Sequence, residues 1–414
     1  MNIMLTNSQA GGLQFISEHF KNKEKIVVLQ GSAGTGKTFL LQEVVKEILY
    51  LYGKGLVAIS APTHKALSVL KEKINIQHSK LSFDTVHSLL KMKRCVDEET
   101  GEEYFAPSFS SRNPPLKNIK YLIVDEVSMV DSYLLSLILK YGTELQILFI
   151  GDTKQLPPVK ESTSPVFDKG YPTFTLTEIV RQSADNPIIK LSNDFKNILN
   201  NKLPDFKEGK GYVFTDEYLR IIERLSTGDF IYLAYTNEKV DKVNYDVRTR
   251  LFKSNCDVQE GETIVLQKPY GEDFKNNETL KIQNVVAAKK TIPFKYKKKT
   301  KEFTFDILIL TTHKGKIEIL QNKEKYNWLN AKKEIKKLAT KKEITWKDYV
   351  NFTDIFADFK FGYAMSVHKS QGSTFRNVVM DLKNIELNRN REERNKLIYT
   401  AITRASDLVV IYVS

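Results

Sequence analysis

Gly31-Ser32-Ala33-Gly34-Thr35-Gly36-Lys37-Thr38 has the form GxxxxGKT. Lys25-Ile26-Val27-Val28-Leu29 before it has the β-branched apolar content of a buried strand, and Phe39-Leu40-Leu41-Gln42-Glu43-Val44-Val45 after it has helical spacing. Strand, loop and helix together make this a phosphate cradle rather than a glycine-rich turn. The glycines let successive N–H groups point into one concave nest at the positive end of the following helix, where phosphate oxygens are stabilised. Lys37 is placed to reach the β- and γ-phosphates of ATP, and the Thr38 hydroxyl to complete the shell of a Mg²⁺ ion. The eight residues from Gly31 to Thr38 are the expected ATP-binding loop.

Two further stretches fit the same chemistry. Tyr121-Leu122-Ile123-Val124 runs into Asp125-Glu126, an apolar strand ending in two carboxylates. Asp125 is the expected metal ligand, directly or through water, and Glu126 the general base that polarises the attacking water. Side by side and buried, the two would be costly without a compensating cation. Gln146 to Ile150 reads as another strand and ends in Gly151-Asp152-Thr153-Lys154-Gln155. The Gln155 amide can bond both the γ-phosphate and the attacking water without changing charge. Arg181, in Leu176-Thr177-Glu178-Ile179-Val180-Arg181-Gln182, carries a planar fork of donors suited to a transferring phosphoryl group. Taken alone, either residue reads rather as an ordinary surface hydrogen-bonder or ion-pair partner.

The chain has 414 residues, enough for two or three domains, with a 41% hydrophobic content ordinary for soluble globular protein. Its net charge of +13, from 63 basic and 50 acidic residues, is compatible with a polyanionic partner such as nucleic acid and equally with a solvated basic surface. The two cysteines, Cys95 and Cys256, are far apart and form no CxxC or Cys/His cluster, so neither a disulfide framework nor a zinc site is expected. No apolar run approaches the ~20 residues that span a bilayer, and no secretory signal pattern is present; a soluble cytoplasmic protein is expected.

Other stretches place polar donors at strand–helix junctions. Gln9 lies about one strand upstream of the phosphate loop, where an amide can read an adenine edge. Leu56 to Ser60 reads as a strand followed by Ala61-Pro62-Thr63-His64-Lys65-Ala66, and Thr85-Val86-His87-Ser88 repeats the theme; Thr63 is also a natural helix N-cap. Lys91 to Val96 and Glu103 to Phe109 flank an acidic turn with Gly101 and read as an inserted β-hairpin. Its Tyr104 and Phe105 either form a wedge that stacks on bases or pack on their own domain. After a polar crossover from Asn193 to Gly211, a second α/β unit starts at Phe230 to Asn237 and resumes near Gly362. Between them, Thr263 to Leu266, Leu280 to Ala287, Phe303 to Thr312 and Lys316 to Leu320 read as the short strands of a small barrel, followed by a lysine-rich helical stretch from Asn322 to Phe359. That stretch is placed either to touch DNA or to keep a projecting helix soluble. Finally, Tyr363 to Thr374 sets His368, Ser370, Gly372 and Thr374 at a strand-to-helix junction, and Leu397 to Ala405 is a helix carrying Arg404.

In this order, APTHKA, DEVSM, GDTKQLPPV, VHKSQGSTF and YTAITRA resemble the motifs of superfamily 1 helicases, and their letters resemble the RecD-like group. The size and layout are similar to the Dda helicases of T-even-type bacteriophages. After Gln155 comes Leu-Pro-Pro, without the aromatic that 3′-to-5′ members place there. The resemblance implies an α/β fold of two tandem RecA-like domains, with ATP and Mg²⁺ between them and single-stranded DNA across both. The expected limits are residues 1–175 for the first domain, with a hairpin pin at 88–115; 176–257 and 360–414 for the second; and 258–359 for an SH3-like barrel with its helical extension. The resemblance assigns adenine recognition to Gln9, a nucleotide contact to Gly372, γ-phosphate coupling to Gln155 and arginine fingers to Arg181 and Arg404. Strand contacts are expected from Pro62, Thr63, His64, Thr85, His87, Asn237, His368, Ser370 and Thr374. Strand separation falls to the pin, with Tyr104 and Phe105, and movement is expected 5′ to 3′. Expected partners are single-stranded DNA and its junctions with duplex, together with a single-strand-binding protein or replisome components; a monomer in the cytoplasm, that of the host if phage-encoded, is expected. The alternatives are a single-strand translocase or protein displacer with little unwinding, and an RNA helicase of the same superfamily.

Overall fold

The computed structural model describes residues 5–51, 55–180, 186–194, 211–252, 257–297 and 299–414. The first eight strands are β1 (Ile26–Gly31), β2 (Leu56–Ala61), β3 (Leu81–Thr85), β4 (Met92–Val96), β5 (Glu103–Pro107), β6 (Ile119–Val124), β7 (Gln146–Gly151) and β8 (Thr173–Leu176). Six of them form a sheet in the order β3-β2-β6-β7-β1-β8, and every pairing in it is parallel. In β1, Val27 and Leu29 enter one core with Leu40, Leu41 and Val44 of the helix Lys37–Leu51, while Val28 enters the core on the other face with Leu135 and Ile138. Burial on both faces is why this strand is apolar without alternation. The phosphate loop, Asp125 and Asp152 all follow carboxyl ends of these strands, the edge where such sheets bind ligands.

β4 and β5 pair only with each other, antiparallel, with Cys95 opposite Tyr104 and Arg94 opposite Phe105. The turn between them rests on the Trp346 indole. Gly101 there has φ 74°, and a Cβ would come within 2.4 Å of the ring, so only glycine permits the contact.

The remaining strands are β9 (Gly211–Thr215), β10 (Phe230–Ala234), β11 (Thr263–Leu266), β12 (Thr279–Tyr296), β13 (Lys299–Thr312), β14 (Lys316–Leu320), β15 (Phe359–Phe361), β16 (Ala364–Ser366), β17 (Phe375–Asp381) and β18 (Ala405–Tyr412). A second parallel sheet has the order β16-β10-β17-β18-β9. Gly362 marks the return to it: β15 pairs with β11, while β16 pairs with β10.

The inserted strands form an antiparallel sheet, β14-β13-β12-β11-β15. The short strands expected here are in fact parts of a long ribbon, since β12 and β13 pair from Ile282 opposite Thr312 to Tyr296 opposite Lys299. Residues between Ala287 and Phe303 do not alternate cleanly enough to reveal this. The ribbon's Ile292, Phe294, Phe303 and Phe305 are instead covered by Trp328, Ile335, Phe352 and Phe356 from or beside the helices Lys325–Thr340 and Trp346–Thr353. One backbone bond, Ala357 N–H to the Glu318 carbonyl at 2.9 Å, draws the β14 edge towards the chain entering β15. No helix among the described residues is long and apolar enough to cross a membrane.

Candidate active site and nucleic-acid channel

Gly34 and Gly36 take left-handed φ values of 82° and 76°, which turns the loop into the helix Lys37–Leu51. A Cβ on Gly36 would meet Gln9 Nε2 at 2.3 Å. Gln9 is buried against the loop: its Nε2 donates to the Thr35 carbonyl at 3.3 Å, and its Oε1 accepts from Thr6 N–H at 3.0 Å in a capping box. The amide expected to read adenine thus also braces the loop. Lys37 Nζ donates to the Gly31 and Ser32 carbonyls, and Val180 N–H to the Gly34 carbonyl at 3.0 Å. Thr38 follows in the first turn of the helix. Arg181 lies outside the described residues.

Asp125 is buried at the end of β6 and accepts from Glu126 N–H at 2.8 Å. Its carboxyl is pushed up to about 7, by burial first and by the adjacent Glu126 charge second. Glu126 holds a left-handed φ of 54°, a strained conformation for a non-glycine residue. Gln155 Oε1 is buried without a hydrogen-bond partner among the described residues. Its backbone N–H donates to the Asp152 carbonyl at 3.2 Å.

The second sheet closes on this edge. Arg404 is 6% exposed, its Nε donates to the Thr400 carbonyl at 3.2 Å, and its Nη1 donates to the Ser373 carbonyl at 3.2 Å. Burial lowers its pKa, and the Glu126 charge opposes that. Gln371 Nε2 donates to the Leu156 carbonyl at 2.9 Å, and Leu156 N–H to Thr400 Oγ1 at 3.3 Å. The Tyr399 hydroxyl accepts from Ala33 N–H at 2.8 Å and donates to Asp152 Oδ2 at 2.6 Å.

A cavity of about 1050 Å³ crosses both sheets above the nucleotide edge, lined by Pro62, Thr63, His64, Thr85, His87, Phe105, Asn237 and His368. Thr63 and Thr85 cap helices through Ala66 N–H and Ser88 N–H at 3.2 Å each. Three expectations sit differently. Ser370 is fully buried, with its hydroxyl donating to the Val367 carbonyl, and neither it nor the exposed Thr374 lines this cavity. Gly372, expected at the nucleotide, has φ 69°, and a Cβ there would meet Ala66 Cβ at 2.8 Å and Thr63 Oγ1 at 3.1 Å. Tyr104 and Phe105 separate: Phe105 lines the cavity, 5.9 Å from the His87 ring in an edge-to-face contact, and Tyr104 does not. Adjacent strand residues point to opposite faces, so one wedge cannot use both. The sequence reading missed Phe274, Lys275 and Lys314 of the insertion, which form a further wall; Lys275 Nζ lies 3.3 Å from His64 Nδ1.

Residues 17–161 match the AAA domain family and residues 361–412 the UvrD-like helicase C-terminal domain family. The chain is 32% identical over 292 residues to the ATP-dependent DNA helicase dda of Enterobacteria phage T4, covering 66% of this chain and 63% of that protein. These matches support a superfamily 1 helicase of the RecD, Pif1 and Dda type. An uncharacterized protein of Acanthamoeba polyphaga mimivirus is 26% identical to this helicase over 95% of the chain and 96% of its own length. In fold, the helicase resembles Bacteroides Pif1 bound to single-stranded DNA, with a TM-score of 0.51, 18% identity and coverage of 99% of this chain and 92% of that one. The shared architecture is a tandem pair of RecA-like α/β domains. Asp152 and Tyr399 stand inside helicase motifs quoted from the sequence, yet only the fold shows that they touch.

Proposed function

We propose that the chain is an ATP-dependent DNA helicase that moves 5′ to 3′ on single-stranded DNA and separates duplex at its junction with the single strand. The observation that carries this is the meeting of two half-sites. The phosphate loop, Asp125 and Glu126 stand on the first sheet, Arg404 is brought to the same edge by the second, and one channel runs across both. The domains take the limits 1–175, 176–257 with 360–414, and 258–359, the last an SH3-like barrel with its helical extension.

Gly31 to Thr38 bind the triphosphate, with Lys37 offsetting its charge. Glu126 takes the proton of the attacking water, Gln155 aligns that water through its unpartnered oxygen, and Arg404 and Arg181 stabilise charge developing on the phosphoryl group. The buried Asp125 beside Glu126 fits a divalent cation, because neither hydrogen bonding nor solvent offsets the pair fully. Thr38 and Asp125 would hold Mg²⁺, which supplies electrostatic stabilisation of the phosphates when bound. The strand lies along Thr63, His64, His87, Asn237 and His368, and Phe105 of the hairpin is the residue against which the duplex parts. Nucleotide favours the closed cleft because Arg404 and Arg181 gain a phosphate partner only there.

The test is unwinding of two partial duplexes of equal length, one with a 5′ tail and one with a 3′ tail, at fixed low salt. Unwinding from the 5′ tail alone is expected. Unwinding from the 3′ tail alone would overturn the polarity, and DNA-stimulated hydrolysis without unwinding would make the protein a translocase.

A further inference from the structure

The helix Arg391–Ile402 reaches both sites. In its first turn, Glu393 Oε1 lies 3.6 Å from His368 Nε2 in the channel wall. Six residues on, about 9 Å along the helix axis, the buried Tyr399 meets the nucleotide edge. Its hydroxyl takes the Ala33 N–H of the phosphate loop and gives its own proton to Asp152. Asp152 in turn accepts from Lys154 N–H through Oδ1 at 2.9 Å and from Gln155 N–H through its carbonyl. Thr400, the next residue, accepts from Leu156 N–H and supplies the carbonyl that holds Arg404. One phenol therefore joins the phosphate loop, the turn presenting Gln155 and the helix that positions Arg404.

We propose that Tyr399 is the positioning residue that couples nucleotide occupancy to strand grip, with the helix Arg391–Ile402 as the rigid link and Glu393 facing His368 as its far end. The inference rests on the helicase reading above. Ala33 N–H belongs to the nest that receives phosphate, so a phosphate oxygen seated there competes with the Tyr399 oxygen for that proton. The Tyr399 proton is held by Asp152, so the phenol presents only lone pairs to a phosphate oxygen seated there, and the two oxygens repel. Tyr399 and its helix therefore shift relative to the phosphate loop, and Glu393 shifts against His368 with them. A packed helix carries such a shift as one body.

The experiment compares the Kd of a labelled oligothymidylate with and without ADP–aluminium fluoride. By reciprocity the same ratio describes how the strand changes nucleotide affinity. The wild-type ratio is expected to differ from one by roughly tenfold, within the usual span of such couplings. Tyr399→Phe removes one oxygen and is expected to bring the ratio within about twofold of one while both ligands still bind, a result that simple loss of packing does not produce. Glu393→Gln, which keeps the side-chain shape, is expected to lower the ratio too, and the double variant to lose no more than Tyr399→Phe alone. A wild-type ratio in either single variant, with both ligands bound, overturns the inference. A wild-type ratio of one overturns it while leaving the helicase reading intact; absence of ATP hydrolysis in the wild type overturns that reading instead.

Discussion

Arg94 on the first strand of the inserted hairpin pairs with Asp354, 260 residues later at the end of the helix Trp346–Thr353. The second arm of its fork reaches Asp354 Oδ1 at 3.4 Å, and Lys268 Nζ lies 3.3 Å from Glu103 on the neighbouring strand. An isolated two-stranded ribbon is marginal in water. Held by these pairs and by Trp346 under Gly101, the ribbon becomes a fixed part of the channel mouth.

Asp354→Ala is therefore expected to lower duplex unwinding by about fivefold, from loss of roughly 1 kcal/mol at a partly exposed pair whose geometry sets the position of Phe105. Single-strand-stimulated ATPase should stay within about twofold, since the ATP edge is untouched. Parallel assays on tailed duplex and on oligothymidylate decide it; equal loss in both would mean that the hairpin serves only to support the fold.

Lys37→Ala should reduce ATP turnover by at least ~100-fold, as expected for loss of a charge held against the phosphates. Thermal melting should move little, because among the described residues the hydrogen bonds of the Lys37 ammonium go to carbonyls of its own loop. Steady-state hydrolysis with saturating single strand is the measurement. Wild-type turnover in this variant would remove the phosphate loop from the active site.

Arg404→Lys keeps the charge and loses the planar fork that spans the Thr400 and Ser373 carbonyls. A fall in kcat of roughly 100-fold is expected, with a much smaller change in strand affinity without nucleotide. A kcat within about twofold of wild type would reduce Arg404 to a structural role.

The pH response should come from the channel. Burial holds the imidazoles of His64, His87 and His368 below the usual histidine range; Lys275 adds to this at His64, while Asp131 opposes it at His87 and Glu393 at His368. The folded protein keeps these rings neutral where the unfolded chain, with imidazole pKa about 6.5, takes up protons. These rings therefore contribute a loss of stability as pH drops below about 6.5, opposed by Asp125, whose raised carboxyl takes up its proton in the folded protein from about pH 7 downward; strand affinity rises once the pH passes below the lowered imidazole range, because a cationic ring attracts phosphate. Oligothymidylate titrations from pH 8 to 5 at constant ionic strength, with melting curves of the wild type compared with His87→Gln, test both signs. His87→Gln should flatten the rise, and affinity independent of pH would show that these rings do not face the strand.

Much of the ATP edge was legible in the chain because its chemistry is local. The phosphate loop needs its glycines, lysine and threonine at fixed spacing between a strand and a helix, and Asp125 needs only to end a buried strand. The insertion was less legible. The ribbon of β12 and β13 extends through lysine-rich sequence because helices from beyond residue 325 cover one face, a partner that no local pattern reveals. Ser370, a strand contact by resemblance, ends the helix Val367–Ser370 and spends its hydroxyl on the Val367 carbonyl, a bond the sequence does not show.

By itself the sequence determined which residues can do phosphate chemistry and in which elements they stand, because backbone conformation over a few residues is set by their own side chains. Only the tertiary structure decided which of them meet. It set Tyr399 against Ala33 and Asp152, set Gly372 beside Ala66 and Thr63, and turned Phe105 but not Tyr104 into the channel. Such contacts join residues hundreds of positions apart, and their geometry follows from the packing of two sheets and an insertion rather than from any one stretch of chain.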